Sequence, residues 1–298
     1  MTVQQLQYAL AVYRAGSISG AAANLYIAQP NLSGIIRSLE EELGYPIFVR
    51  TSRGVQPTER GLEALRQAAQ MVSCHEKMRQ LGTASPRERF RIGGIAYTPA
   101  CDAFVKLCQE YENETNLEMS YFSDDAEATL DRLLMSELDM AIGLCNPDAA
   151  DRMLRQCRQQ GIVLTHIVNV PLVLRIGPKH PLYTAPEIHL SDFQDYTLVD
   201  YNSRVFLDYP SLTSLLKVNP DRVITVSDRS LKNMLISQTT MYGLGCKLPP
   251  VTNQRFQFRC IPLDDLHYCM FLMERKDSIR SKLGQRYLEL LQETFRNL

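Results

Sequence analysis

The sequence predicts an α/β protein with a helical N-terminal domain, one long helix, and a larger C-terminal domain of strands and helices. Three observations support this fold class. The first sixty residues contain three helical periodicities and a short hairpin pattern, and a much longer helical pattern starts at Thr58. From residue 90 onward, strand and helix patterns alternate, as a parallel α/β architecture requires. A chain of 298 residues has room for two or more domains.

Composition excludes several classes of protein. The net charge is -1, and 22% charged with 45% hydrophobic residues is typical of a water-soluble globular chain. No apolar stretch approaches the roughly 20 residues that a membrane span needs. The 8 cysteines lack C-x-x-C pairs and the 5 histidines lack metal-ligand spacing, so we expect no metal and no cofactor. No signal peptide is recognisable before Val3, and we expect a reduced, cytoplasmic protein without a membrane partner.

The first two helices are predicted from apolar spacing and from the residues that begin or end a helix. The first spans residues 3–15 and is ended by Gly16-Ser17. Its apolar face consists of Val3, Leu6, Leu10 and Tyr13. Ser19 is predicted to cap a short second helix, in which Ala21, Ala22 and Ala23 let another helix approach closely.

The third helix carries the surface around which the N-terminal domain is organised. Pro30 is tolerated only in a first turn, so the helix begins near Ala28 or Gln29, and Gly44 ends it. A buried stripe is predicted at Leu32, Ile36, Leu39 and Leu43. The opposite face is small and polar and comprises Pro30, Asn31, Ser33, Gly34, Arg37 and Ser38. Such a face suits entry into the DNA major groove, although the periodicity alone equally fits an ordinary surface hairpin of three helices.

A short β-hairpin is predicted after the third helix. Residues 46–50 form its first strand, residues 51–54 its turn, and residues 55–56 begin the return strand. This hairpin forms a wing beside the helices. Arg50 and Arg53 on the wing are either solvated surface charges or contacts to the DNA backbone and minor groove.

The long helix is predicted from Thr58 to Gly82 and is followed by a polar linker. At about 1.5 Å per residue, it spans some 36 Å. One apolar stripe contains Leu62, Leu65, Ala69 and Val72, and a second, shifted stripe contains Met71, Cys74, Met78 and Leu81. The first stripe packs either on its own domain or against a helix of a second chain, and the second alternative is favoured because so thin a helix cannot bury the stripe alone.

The C-terminal residues alternate between strand and helix patterns. The predicted strands are 90–95, 117–121, 140–142, 162–168, 171–176, 223–226 and 268–273. The predicted helices are 99–111, 126–138, 231–238 and 278–295. A one-residue gap at Asn169 separates two of the strands, and Gly243 to Pro249 is predicted to form a turn.

From Leu6 through Gly61, the chain resembles the N-terminal domain of LysR-type transcriptional regulators. The matching residues, in that family's order and spacing, are Ala22-Ala23, Leu25, Gln29-Pro30, Leu32-Ser33, Ile36, Leu39-Glu40, Leu43-Gly44, Ile47-Phe48, Arg50, Pro57-Thr58 and Gly61. A gap-free match of this length is far more specific than any short motif. The order of the remaining elements also resembles that family, so the similarity covers essentially the whole chain.

The resemblance implies a more detailed fold class than the patterns alone. It implies an N-terminal winged helix-turn-helix, a long linker helix, and a C-terminal two-lobed α/β effector domain resembling type 2 periplasmic binding proteins. The implied domains are residues 1–57, residues 58–89 for the linker and dimerisation helix, and residues 90–298 for the effector domain. Lobe I would contain 90–161 and 265–298, and lobe II 162–264, with crossings near Gly161 and Pro262-Leu263. The implied partners are double-stranded DNA, a small-molecule effector, and further copies of the chain in a homodimer or homotetramer.

The DNA-contacting residues implied by the resemblance lie on the third helix and the wing. They are Gln29, Pro30, Asn31, Ser33, Arg37, Arg50 and Arg53. Gln29 and Asn31 would hydrogen-bond base edges, and the Ser and Arg side chains would hold phosphates or enter the minor groove. The chain departs from the family at Gly20, Ala28 and Gly34, where longer or hydroxyl-bearing side chains are common.

The effector-binding candidates follow predicted strands, where ligands of such domains bind. They are Tyr97, Thr98, Ser123, Asp124, Cys145, Tyr201 and Asn202. Thr98 either holds a carboxylate with nearby backbone N–H groups or is a plain helix cap. Asp124 either interacts favourably with the dipole at the start of the next helix or, facing the cleft, favours an amine or hydroxyl-rich ligand over a simple anion. Tyr201 and Asn202 suit hydrogen bonding to a small polar or aromatic molecule.

Two alternatives to a ligand-responsive regulator remain at this stage. One is a small-molecule-binding protein whose N-terminal domain makes protein contacts. The other, an enzyme, is disfavoured because no local Ser-His-Asp or Cys-His arrangement can be assembled. Some members of the resembled family sense oxidants through a cysteine pair, but the scattered cysteines here are better interpreted as buried, inert thiols.

Overall fold

The computed structural model separates into two compact units, Met1–Glu88 and most of residues 89–298. The described residues are 1–52, 54–82, 87–94, 97–201, 222–248, 254 and 256–296. Arg53, Asn202 and the linker residues 83–86 lie outside them, as does the side chain of Tyr201.

The N-terminal unit contains the predicted three helices, wing and long helix. Its elements are α1 (Val3–Ala15), α2 (Ile18–Asn24), α3 (Gln29–Leu43), β1 (Phe48–Thr51), β2 (Gly54–Pro57) and α4 (Glu59–Leu81). As predicted, Gly16 and Gly44 end α1 and α3 in the left-handed conformation, with φ of 63° and 78°.

The predicted cap of α2 is wrong. Ser17, not Ser19, precedes the helix, and its hydroxyl accepts a hydrogen bond from the Gly20 N–H at 3.1 Å. Ser17 directly follows the left-handed Gly16 and is extended, with φ of -156°, as a residue that caps a helix usually is. Ser19 is therefore already in the first helical turn, where it is exposed.

One apolar core joins the helices of this unit. The stripe of α3 is buried at Leu32, Ile36 and Leu39, as predicted. Ala21 and Ala22 are buried with it, whereas Ala23 is exposed and takes no part in the close helix contact that was predicted for it. The packing leaves the opposite face of α3 in solvent.

The first apolar stripe of α4 packs within its own chain. Leu65 and Ala69 are buried in the same core as Leu6 and Leu10 of α1, so the prediction that this stripe packs between chains is wrong. The start of α4 lies very close to the chain just before the wing. A Cβ at Gly61 would lie 2.0 Å from the Ile47 carbonyl oxygen. Glycine at this position lets the start of α4 lie directly against the chain that enters the wing. Farther along α4, Met71, Met78 and Leu81 are exposed in the single chain.

The C-terminal unit is an α/β domain built on a single mixed sheet. Its strands are β3 (Glu88–Gly94), β4 (Leu117–Phe122), β5 (Met140–Cys145), β6 (Ile162–Ile176), β7 (Leu198–Tyr201), β8 (Val223–Val226), β9 (Tyr242–Cys246) and β10 (Arg259–Arg275). Its helices are α5 (Thr98–Glu110), α6 (Ala126–Leu134), α7 (Pro147–Gln159), α8 (Arg229–Gln238) and α9 (Lys282–Arg296), with short 3-10 helices at Pro181–Thr184 and Leu190–Phe193. The strand order is β4-β3-β5-β10-β6-β9-β7-β8.

Two long strands, β6 and β10, run through the middle of this sheet. They are antiparallel to each other, whereas β3 pairs with β5, and β7 with β8 and β9, in parallel. The predicted gap at Asn169 is wrong, because Asn169 pairs with Cys269 inside a continuous β6. The predicted turn after Tyr242 is also wrong, because residues 242–246 form β9 and pair with Leu172–Ile176. The register between β6 and β10 shifts between Pro262 and His267, and the lobe boundaries stay a prediction.

The core of this unit lies between the sheet and its helices. α5 packs against α9, where the buried Tyr287 O–H donates a hydrogen bond to the Ala100 carbonyl oxygen at 3.1 Å. The sequence pattern did not predict α7, which buries only Ala149, Met153 and Cys157 and is otherwise strongly polar. These three residues recur at i, i+4 and i+8, so the helical periodicity is present in the sequence although no helix was predicted there.

His180 provides a pH-dependent contribution to the stability of this unit. The residue is 2% exposed, and the centre of its ring lies 4.3 Å from the centre of the Tyr196 ring. Its Nδ1 accepts a hydrogen bond from the Leu182 N–H. Burial lowers the pKa of His180 to about 4. Between that value and the unfolded pKa of about 6.5, the unfolded chain binds more protons, so stability falls as the pH drops.

We expect the free energy of unfolding to fall by about 1 kcal/mol per pH unit below pH 6 because of this histidine. His180→Gln should reduce the slope, since glutamine does not titrate. The measurement is the urea midpoint of both proteins at several pH values from 7 to 5. Parallel pH curves for the two proteins would show that His180 does not control this dependence.

Candidate functional site

The polar face of α3 is open to solvent. Gln29, Pro30 and Asn31 in the first turn are exposed, as is Arg37 two turns later, and Ser33 is half-buried. The buried stripe on the other side fixes the rotation of the helix, so these side chains point away from the core. The structure thus places the residues of α3 that are predicted to contact DNA on one accessible surface, while the contacts themselves stay a prediction.

The wing is held against the helices by backbone contacts. β1 and β2 form the antiparallel hairpin, with Arg50 opposite Val55 and exposed. The Val55 N–H donates a hydrogen bond to the Gly16 carbonyl oxygen at 2.9 Å. The Glu40 carboxylate on α3 accepts hydrogen bonds from the N–H groups of Ile47 and Phe48 at 2.8 and 3.0 Å. Arg50 therefore has a defined position relative to α3, and Arg53 lies outside the described residues.

Two helix N-termini meet at Thr98 in the C-terminal unit. Thr98 is the first residue of α5, and its Oγ1 accepts a hydrogen bond from Nη1 of Arg229 at 3.1 Å. Arg229 is in turn the first residue of α8, whose cap Asp228 accepts from the Leu231 N–H at 2.7 Å. The cap of α5 is Tyr97, so the interpretation of Thr98 as a plain helix cap is wrong. Its hydroxyl instead links α5 to α8.

Tyr97 is committed to a structural contact. Its side chain is buried, and its O–H donates a hydrogen bond to the Lys247 carbonyl oxygen at 2.7 Å. Burial raises the pKa of Tyr97 above its usual range, so the phenol stays protonated at neutral pH. Tyr97 joins the start of α5 to the residue after β9, beside the contact between Thr98 and Arg229.

The carboxylates before α6 are already used within the chain. Asp124 Oδ2 pairs with Arg132 Nη1 at 2.7 Å, and the Arg132 guanidinium lies 3.7 Å from the centre of the Phe122 ring. Asp125 Oδ1 accepts from the Ala128 N–H at 2.8 Å. Because Arg132 compensates the charge of Asp124, the expectation of an amine or hydroxyl-rich ligand loses its basis. Ser123 is exposed in the same loop.

Cys145 does not offer its side chain to a ligand. It is 1% exposed, and it lies opposite Cys269 in the antiparallel pairing of β5 with β10, with both thiols free. Burial, together with the nearby thiols of Cys269 and Cys157, raises the pKa of Cys145 to about 12. The predicted effector contact through this side chain is therefore wrong, and the thiol belongs to the core.

A buried basic cluster accompanies Arg229, and the sequence patterns did not predict it. Lys232, one turn along α8, is 3% exposed, and Arg175 on β6 is 8% exposed. Burial lowers the pKa of Lys232 to about 7, while the carboxylate of the buried Asp200 acts in the opposite direction. Arg175 donates a hydrogen bond to the Cys246 carbonyl oxygen.

Gly245 of β9 makes room for Arg175 in this basic cluster. A Cβ at Gly245 would lie 2.4 Å from Cζ of Arg175, whereas one at Gly243 would first meet Cδ1 of Ile236 at 2.7 Å and the Val199 carbonyl oxygen at 2.9 Å. Any larger residue at Gly245 would displace the guanidinium. The sequence rule that found Thr98, a helix start after a strand, would have found Arg229 had α8 not been predicted to begin at Leu231.

Two further properties bear on the class of site. Within the residues that the structure describes, no helix is long and apolar enough to cross a membrane. Over the same ranges, no group of three or more His, Cys, Asp and Glu side chains is arranged to hold a metal ion.

Two family descriptions match nearly the whole chain. Residues 3–62 match the bacterial regulatory helix-turn-helix protein of the lysR family, and residues 83–296 match the LysR substrate binding domain. The boundary between these matches falls close to the division between the two units of the structure.

Proteins similar to this chain over most of their length include regulatory proteins. The nitrogen assimilation regulatory protein nac of Klebsiella aerogenes is 28% identical over 232 residues, which are 72% of this chain and 74% of that protein. The transcriptional regulator AdmX of Serratia plymuthica is 24% identical, with 100% of this chain and 93% of AdmX aligned. The crystal structure of ArgP from Mycobacterium tuberculosis superposes with a TM-score of 0.67 at 16% identity, covering 99% of this chain and 97% of that one. At that identity the superposition shows the fold, which confirms the predicted fold class.

Proposed function

The chain belongs to the LysR family of transcriptional regulators, and from this premise we propose that it binds specific DNA sites and adjusts transcription in response to a small-molecule effector. The exposed polar face of α3 supports the proposal of DNA binding. Hydrogen bonds to Glu40 and Gly16 hold the wing beside this helix. This is the arrangement that a recognition helix needs in order to enter the major groove.

The proposed reading residues have separate roles. Gln29 and Asn31 at the N-terminal end of α3 hydrogen-bond base edges, as amide side chains do with adenine. Ser33 and Arg37 on α3, and Arg50 on the wing, bind phosphates and fix the register of the protein on the duplex. The weak basic excess of the first sixty residues, five Arg against four Glu, makes this binding depend on geometry and on more than one copy of the chain.

The exposed second stripe of α4 supports a dimer. Met71, Met78 and Leu81 are exposed on the same helix whose first half packs in the core, and a second chain would cover these side chains. A homodimer, or a homotetramer built from two dimers, would place two recognition helices on neighbouring half-sites of DNA.

The proposed effector site lies where α5 and α8 meet. Thr98 and Arg229 begin helices that follow different strands of the sheet, and a ligand bound to both would pull these helices together. A ligand shifts a conformational equilibrium only as far as its affinities for the two states differ. Contacts from two helices provide such a difference, which would change the geometry of the DNA-binding units.

Selection of genomic fragments tests the DNA-binding part. The purified full-length chain, without added ligand, is mixed with sheared genomic DNA, and retained fragments are sequenced and tested by gel shift against random DNA. We expect a small set of fragments bound at least 1,000-fold more tightly than random sequence. Equal binding to all fragments would contradict the proposal and favour an N-terminal unit that makes protein contacts.

The effector part is tested by replacing the Thr98 hydroxyl. Thr98→Val keeps the shape of the side chain and removes the acceptor for Arg229, whereas Thr98→Ser keeps the hydroxyl and is the matched control. With a ligand identified by mass spectrometry of the purified chain, we expect Val to weaken the effector response by about 0.5–1.5 kcal/mol. The measurement is an effector titration of DNA binding, each variant being compared with its own affinity without effector. Identical midpoints for the Val and Ser variants would place the site elsewhere.

A further inference from the structure

We propose that Glu40 is a positioning residue for DNA binding: its carboxylate fixes the wing relative to α3, so that removing this negative charge weakens the affinity for DNA. The inference rests on the proposed binding of DNA by α3 and the wing, and it adds a residue that touches no nucleotide itself. An ordinary acidic side chain near DNA has the opposite effect, because its charge repels the phosphates.

The Glu40 carboxylate binds the two residues at which the chain enters the wing. Its Oε1 accepts hydrogen bonds from the N–H groups of Ile47 and Phe48 at 2.8 and 3.0 Å. Successive N–H groups that converge on one anion form a small anion-binding concavity, and hydrogen bonds to an ionised acceptor are stronger than those between neutral groups. Glu40 is half-buried, which reduces competition from water. This side chain therefore anchors the wing to α3.

The two acidic residues that follow Glu40 differ from it. Glu41 is exposed, and Glu42 is exposed and pairs with the N-terminal amine of Met1. Residues 40–42 supply three of the four Glu that offset five Arg in the first sixty residues. In a domain with so small a basic excess, each of these carboxylates reduces the attraction to DNA. Glu40 offsets that cost through its contacts with the wing.

The start of α4 holds the same segment through its carbonyl groups. The Thr58 N–H donates a hydrogen bond to the Ile47 carbonyl oxygen at 2.9 Å, and the Thr58 hydroxyl donates one to the Pro46 carbonyl oxygen at 2.8 Å. Ile47 is also 2% exposed within the core of this unit. The chain that enters the wing is therefore bound by α3 through N–H groups and by α4 through carbonyl groups.

The anchored segment lies next to Arg50. β1 starts at Phe48, and Arg50 follows two residues later, about 7 Å along an extended strand. β1 and β2 form a two-stranded sheet, and a hairpin of this size is marginally stable by itself. Its other side is held where the Val55 N–H donates to the Gly16 carbonyl oxygen. Without Glu40 the hairpin loses its bonds to α3, and Arg50 is no longer held in one place relative to that helix.

A double-mutant cycle in the full-length chain tests the inference. Glu40→Gln keeps the size of the side chain and removes the charged acceptor, and Arg50→Gln removes the proposed phosphate contact. Affinity for a random DNA duplex is measured by fluorescence anisotropy at one salt concentration, since phosphate contacts carry no sequence information. We expect each single variant to bind about fivefold more weakly than the parent. Once Glu40 has been replaced, Arg50→Gln should cost less than about twofold, because the two residues act as one unit.

Glu41→Gln is the matched control, because it removes the same charge from the adjacent, exposed position of α3. It should bind DNA as tightly as the parent or slightly more tightly. Glu40→Asp is the second variant. It keeps the negative charge but is one methylene shorter, so it should also lower the contribution of Arg50. Melting curves of all variants show which fraction of each chain is folded during the binding measurement.

Amide hydrogen exchange gives a readout that needs no DNA. Peptides from the wing, residues 46–57, should exchange faster in Glu40→Gln than in the parent, while peptides from α1 exchange as before. Equal exchange of the wing in both proteins would overturn the inference. So would a cycle in which Arg50→Gln costs as much without Glu40 as with it, or a Glu40→Gln variant that binds DNA as tightly as Glu41→Gln. A parent that binds no DNA contradicts the proposed function, whereas additive losses in a parent that binds contradict only the role of Glu40.

Discussion

Replacing Leu65 with aspartate should unfold the N-terminal unit and abolish DNA binding. Leu65 is 1% exposed and lies in the core that joins α1, α2, α3 and α4. The loss of a buried leucine costs roughly 2–5 kcal/mol, and the introduced carboxylate would have to be buried or expose the core to water. Because whole domains are stable by only about 5–15 kcal/mol, this single change should remove most of the folded population.

The control for this prediction lies on the same helix. Met78 is 66% exposed, so Met78→Asp should leave the melting curve unchanged while weakening self-association. Circular dichroism and the mass in solution by light scattering are measured for both variants and the parent. If Leu65→Asp melted like the parent but appeared as a monomer, the stripe would pack between chains, as the sequence suggested.

Elements fixed by local interactions could be predicted from the sequence. α3 has a proline that is acceptable only in a first turn and a glycine at its left-handed end, and both bounds were predicted within one residue. The cap of α2 was missed because two serines, Ser17 and Ser19, fit the same rule. The turn at Gly16 selects between them, and that turn depends on the wing packing against it.

Features that depend on distant partners could not be predicted. The heptad-like stripe of α4 shows that one face is buried, but periodicity does not say which chain covers it. Asn169 looked like a break between strands, and only the pairing of β6 with β10 shows that the strand continues through it. Gly243 and Gly245 are typical of a turn because glycine usually marks one, whereas in β9 they leave room for the Ile236 side chain, the Val199 carbonyl oxygen and the Arg175 guanidinium.

The candidate effector site also combines a feature that local sequence predicts with partners that it does not predict. Thr98 was found because it follows a strand and starts a helix, which is a local pattern. Its partner Arg229 is 131 residues away along the chain, and nothing local connects the two. Asp124 was interpreted without Arg132, which lies two turns along the following helix and cancels its charge. Charge compensation of this kind removes the basis for the ligand class that the sequence suggested.

Replacing Gln29 with alanine should weaken binding to a specific DNA site by roughly 1–3 kcal/mol while leaving binding to random DNA nearly unchanged. Gln29 is the first residue of α3 and is exposed, so its amide can reach a base edge without any change in the core. Removal of the amide leaves the phosphate contacts of Ser33, Arg37 and Arg50 in place. Since those contacts carry no sequence information, the loss should be confined to the specific site.

The measurement is fluorescence anisotropy with a fragment recovered from the genomic selection and with random DNA, both at one salt concentration, because affinity for DNA depends strongly on salt. Gln156→Ala, an exposed glutamine on α7 in the other unit, is the matched control and should bind both DNAs as the parent does. A change of base preference at one position of the site, found by testing all four base pairs there, would identify the base that Gln29 contacts. Equal losses on specific and random DNA would instead show that Gln29 acts on the backbone, and sequence reading would then fall to Asn31.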